Sequence, residues 1–228
     1  MRYAVCLAPD VLLLIALLRM TYVGLHAERR WMFFFLCAWL AYSTITLFLI
    51  QIWEAGSANY MEAFLALSAG AWLCGAPALL AASHRLSQHF WQSCSVGAIV
   101  LIAALASRYA LLSHGVSPLA KLLVLNAWLA VIFGSVFLLA SSGAGNPDAL
   151  LWRCAGAFFL IFGFGYLTIG ALELGRWSYP AVVILASLAW LALALFVKPT
   201  HECIFNHEKL AFASAAYLTP VTSRRSRG

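Results

Sequence analysis

Between Arg153 and Glu173 the chain runs for nineteen residues without a charge. A helix needs about 20 apolar residues, at 1.5 Å each, to cross a bilayer core. Within this run Gly156, Gly163 and Gly170 recur seven apart. Seven residues make two helical turns, so the three glycines share one face. Phe158, Phe159, Phe162, Phe164 and Tyr166 fill most of the remaining circumference. Small residues let helix backbones approach closely in lipid, where apolar side chains gain little by leaving the tails. The three glycines are therefore expected to be helix-packing residues. The small-residue surface Ser68, Gly70, Ala71, Cys74 and Gly75 is their expected partner, while Gly165, on the far side of the helix, is expected to face lipid.

The rest of the chain follows the same pattern. It is 64% hydrophobic and 10% charged, with mean hydropathy +0.91, against about 25% charged residues in a soluble domain. The apolar runs are continuous and too long for the alternating strands of a β-barrel. The sequence thus predicts an all-α polytopic membrane protein with seven crossings, at 4–23, 31–53, 60–82, 91–112, 118–139, 152–172 and 179–197. Trp31, Trp53, Trp91, Trp152 and Trp177 fall at the expected ends, where an aromatic belt would sit. Residues 1–197 form the bundle, and 198–228 form a short basic tail after Pro199. Arg19, Arg29, Arg30, Arg85, Arg153, Lys198, Lys209, Arg224, Arg225 and Arg227 fall on one side; Arg2, Arg108, Lys121 and Arg176 fall on the other. Positive-inside then places the N-terminus out and the C-terminus in, across a bacterial inner (plasma) membrane. The net charge of +6 thus orients helices and does not indicate a nucleic-acid partner.

Three helices carry polar residues at membrane depth. If the first runs over 4–23, Arg19 can snorkel to the inner surface and Asp10 lies inside the apolar layer. The alternative is a helix starting at Val11, with Asp10 as its cap after Pro9. Tyr42, Ser43, Thr44 and Thr46 lie on the second helix, and the hydroxyls of such residues can bond back to their own backbone. Asn126 on the fifth needs an interhelical partner. Pro77 is expected to bend the third.

The outer ends of the helices gather the candidate site. Asp10, Glu54, Glu62 and Glu173 are its carboxylates, Arg108, Lys121 and Arg176 its cations, and His114 lies in a loop between them. They form either a polar vestibule for a ligand or ion, or ion pairs that anchor helix ends. Asp10 and Glu62 stand out because each lies within an apolar run. The histidines all lie toward helix ends or loops, which excludes haem ligation within the bundle, and the seventh helix has no lysine for a retinal Schiff base. His201, Cys203 and His207 lack a fourth ligand, so no metal and no cofactor is expected. The cysteines Cys6, Cys37, Cys74, Cys94, Cys154 and Cys203 are scattered, without a disulfide framework.

The opening L-A-P-D-V-L-L-L, with H-A-E-R-R after the first helix, resembles small seven-helix membrane proteins of soil bacteria. The resemblance implies the seven-helix architecture and no particular activity. The expected function is non-enzymatic: binding within the membrane, as an accessory subunit of a larger complex or a receptor-like module. Its expected partners are lipids and other membrane subunits. The alternatives are a transporter or channel using the outer carboxylates, and a lipid-modifying enzyme.

Overall fold

A computed structural model describes residues 2–24, 29–53, 57–86, 94–103, 105, 117–142, 149–172 and 178–196. The secondary structure among them is helical: α1 (Arg2–Tyr22), α2 (Arg30–Ile52), α3 (Ala58–Leu86), α4 (Cys94–Ala103), α5 (Pro118–Ala140), α6 (Ala149–Leu172) and α7 (Ser178–Phe196). α2, α3, α5 and α6 are each long and apolar enough to cross a membrane.

Local sequence explains the boundaries. Helix α1 continues through Pro9, so Asp10 lies in its interior and is not a cap. It stops at Gly24, whose φ of 77° lies in the left-handed region that costs glycine nothing. The Gly24 amide closes the end by donating to the Thr21 carbonyl at 3.1 Å. Ser117 opens α5, accepting from the Ala120 amide at 3.2 Å, with Pro118 in the first turn, where its missing amide hydrogen costs nothing. Helix α3 runs through Pro77 to Leu86 as one element.

Six of these helices pack as a closed ring, in the order α1, α2, α3, α5, α6, α7 and back to α1. Neighbours run antiparallel at α2/α3, where Tyr42 meets Phe64 and Trp39 meets Trp72. They do so again at α6/α7, where Phe158 meets Trp190 and Gly165 meets Val182. The α3/α5 pair is parallel: Trp72 bonds Asn126, and one turn further Gly75 abuts Phe133. The interhelical bond expected of Asn126 is thus made, with the Trp72 indole donating to its Oδ1 at 2.7 Å.

Aromatic side chains fill one end of the ring. Phe35 and Trp39 of α2 stand at the centre, with Phe35 stacked on Phe159 at 5.2 Å and Trp39 edge-on to the same ring at 4.9 Å. Phe133, Phe137 and Trp152 extend the cluster. The outside is apolar as well: Val11, Leu14 and Leu18 of α1, Phe34 and Phe48 of α2, and Leu188 and Leu195 of α7 are exposed. A continuous apolar exterior on a folded chain is a surface made for lipid.

The glycine face of α6 has a different partner from the expected one. A Cβ built on Gly163 would lie 2.6 Å from the Ala127 carbonyl, and one on Gly156 would lie 2.7 Å from the Leu138 nitrogen. Both neighbours belong to α5, not α3. Gly134 of α5 answers with its own bare face against Gly156 and Leu160. Gly165 does not meet lipid, because Val182 of α7 covers it. Helix α6 is held between two ring neighbours, so both of its sides are packing faces. On α3, Gly75 makes room for the rings of Phe35 and Phe133, and Gly70 has open space around it. Gly170 lies near the end of α6.

Candidate functional site

Next to the aromatic cluster, and reaching from it toward the other end of the ring, the helices line a partly open cavity of about 600 Å³. Helices α1, α3, α5 and α7 line it from near their starts to about their middles or just beyond, and α2 and α6 from just before their middles toward their ends. The lining therefore runs from the middle of the bundle toward one end. Trp39, Asn126, Phe158 and Trp190 are the deepest members on their helices and form the floor.

Helical periodicity selects the walls. Phe158, Phe162 and Tyr166 are four apart on α6 and descend one face as a ladder, with rings 5.9 and 4.5 Å apart. Trp39, Tyr42, Ser43, Thr46, Leu47 and Ile50 mark the inward stripe of α2. Tyr60 and Phe64, one turn apart on α3, stack at 5.9 Å against Tyr42. Leu119 and Leu123 close the α5 side, and Pro9, Asp10 and Leu13 the α1 side.

Among the described residues, Asp10 is the acid of this lining, and no lysine, arginine or histidine accompanies it there. It is 7% exposed. The Thr44 hydroxyl donates to its Oδ2 at 3.0 Å, and Ser43 supplies a second side-chain hydrogen bond. Thr44 thus departs from the expected bonding to its own backbone, whereas Thr46 follows it, donating to the Tyr42 carbonyl at 2.7 Å. Among the described residues no cation pairs with Asp10. Trp190 brings a further polar atom: it is fully buried, and its Nε1 has no hydrogen-bond partner among the described residues.

Of the other candidates, the two that are described, Glu62 and Lys121, are not in the lining with Asp10. Glu62 falls midway between Tyr60 and Phe64, which face in, and is exposed on the opposite side of α3. Lys121 falls midway between Leu119 and Leu123 and is likewise not in the lining. Of these three described residues, Asp10 alone lines the cavity. Glu54, Arg108, His114, Glu173 and Arg176 lie outside the described residues, as do His201, Cys203 and His207. Among the described residues there is no cluster of three or more His, Cys, Asp or Glu that could hold a metal ion. The aromatic lining was not picked out from the sequence, although the four-residue spacing of Phe158, Phe162 and Tyr166 signals a shared face. Comparison with protein-family models, with curated proteins and with solved structures finds no match to this chain, and the cavity itself is what bears on function.

Proposed function

We propose that this protein is a binding protein of the plasma membrane, a receptor-like module that holds a small, largely apolar ligand inside a seven-crossing bundle. The observation that carries this reading is the cavity. Its volume falls in the ~300–1,000 Å³ range of small-molecule sites, which combine apolar walls with a few placed polar groups. Asp10, Asn126 and the tyrosine hydroxyls are such groups, set among aromatic and aliphatic side chains. A transporter relaying ions between carboxylates is less well supported, because Glu62 does not share the space with Asp10.

Seven crossings are supported by the parallel packing of α3 and α5. A chain that leaves α3 at one end must return to the other before α5 begins, and α4 lies on that stretch. Orientation is supported by where the cations fall. Arg19 ends α1, Arg29 and Arg30 open α2, and Arg153 lies in the first turns of α6, all at the end opposite the cavity. With positive charge inside, the cavity end faces outward. A reporter active only in the cytoplasm is expected to work when fused after Gly228 and to be silent before Met1. The reverse pattern would turn the cavity toward the cytoplasm.

Binding is tested with the full chain in lipid nanodiscs, against small arylalkanes that carry a positive, neutral or negative head. At least one is expected to bind saturably, one per chain, above its partition into empty nanodiscs. Leu123→Trp, which fills the cavity from α5, is expected to weaken that binding by about tenfold or more, equivalent to ~1.4 kcal/mol. Uptake of all three that never saturates, or that the tryptophan leaves unchanged, would sink the reading.

A further inference from the structure

We infer that the ligand of this cavity is a lipophilic cation: a protonated amine or quaternary ammonium on an apolar body, with its positive charge beside Asp10. The inference rests on the cavity being a ligand site, as proposed above.

Two features of the lining point the same way. The first is an acid without a counter-charge. A buried carboxylate surrounded by apolar groups is costly unless it is paired or takes up a proton. The Thr44 and Ser43 hydroxyls hold Asp10 in place by donating to it, but a hydroxyl carries no compensating charge. Among the described residues, no basic side chain in the lining supplies one. The missing positive charge is supplied if it arrives with the ligand.

The second feature is the wall. Of the nineteen described lining residues, eight are aromatic, and they come from α2, α3, α6 and α7, so they surround the space instead of covering one side of it. The face of an aromatic ring is the negative end of its quadrupole and attracts an organic cation, at about 0.5–1 kcal/mol when exposed and ~2 or more once water is excluded. The same faces repel an anion. A neutral apolar ligand would be served as well by leucine and valine.

Size agrees: about 600 Å³ leaves room for a body larger than the ammonium group alone.

The test compares three probes of one shape on the full chain in nanodiscs of zwitterionic lipid: phenylbutyltrimethylammonium, its neutral isostere with tert-butyl in place of trimethylammonium, and phenylbutanesulfonate. The cation is expected to bind about tenfold or more tighter than the isostere, with the sulfonate weakest. In Asp10→Asn the advantage of the cation is expected to fall to about threefold or less, while the isostere binds as before. If the isostere matches the cation on the wild-type protein, Asp10 is held neutral and the cationic ligand is ruled out, though the cavity remains a binding site. If none of the three saturates, the site itself is lost and this inference with it. The wild-type comparison stands alone should the asparagine variant fail to fold.

Discussion

Gly163→Ala is expected to be among the most damaging single-methyl additions in this protein. A Cβ at this position would lie 2.6 Å from the Ala127 carbonyl and 2.9 Å from the Val131 nitrogen. Both are backbone atoms of α5, so no side chain can swing aside, and the two helices must separate. Overpacking typically costs about 1–3 kcal/mol and occasionally more. The change also disturbs the neighbouring contacts of Gly156 with Gly134 and Leu138 along the same seam. A fall in the apparent melting temperature on the order of 5 °C is expected in mild detergent. The matched control is Gly70→Ala on α3, where nothing lies within 4 Å of the added methyl. It is expected to shift stability by no more than ~0.5 kcal/mol. Equal losses from the two variants would mean that α5 and α6 do not meet backbone to backbone.

Phe35→Ala is expected to cost about 3 kcal/mol, the low end of the range for removing a buried aromatic side chain. The reason differs from that in a soluble core. Lipid is as apolar as the protein interior, so little is lost by transfer. What is lost is contact: Phe35 is fully buried and touches the rings of Trp39, Trp72, Phe133, Phe137 and Phe159. An empty space at that point leaves all five without a partner on one side. Its neighbour Phe34 is 58% exposed on the outer face. Phe34→Ala exchanges one lipid contact for another and is expected to cost ~1 kcal/mol or less. Thermal or denaturant unfolding of the two variants compares them directly. Similar losses would contradict the placement of Phe35 at the centre of the ring.

Much of the architecture is legible in single residues. Long uncharged runs locate the helices because run length is a local property. The interior helical position of Asp10 follows from the registration that lets Arg19 reach a helix end, and α1 adopts it. The partner of a face is not local. Periodicity puts Gly156 and Gly163 on one side of α6, but small residues occur on both α3 and α5, and the order of helices around the ring decides between them. Glu62 shows a second limit. Its place in an apolar run suggests burial, yet it is two residues out of phase with Tyr60 and Phe64, which places it on the other side of α3. Depth and direction are separate coordinates, and hydropathy reports only the first. The cavity could not be read for a similar reason: an unfilled volume is a property of six helices together, and no one of them encodes it.

The contact between α1 and α7 also has a consequence for synthesis. A chain inserted from its N-terminus delivers α1 first of these helices and α7 last. Until α7 arrives, the ring has a gap where Val183 and Trp190 belong, and Asp10 faces a space open on that side. The parallel α3/α5 contact must likewise wait for the connection through α4. A nascent chain halted before α7 therefore carries an acid that its hydroxyl partners reach but that no cavity encloses. The wall beside that acid is complete only when the last helix docks.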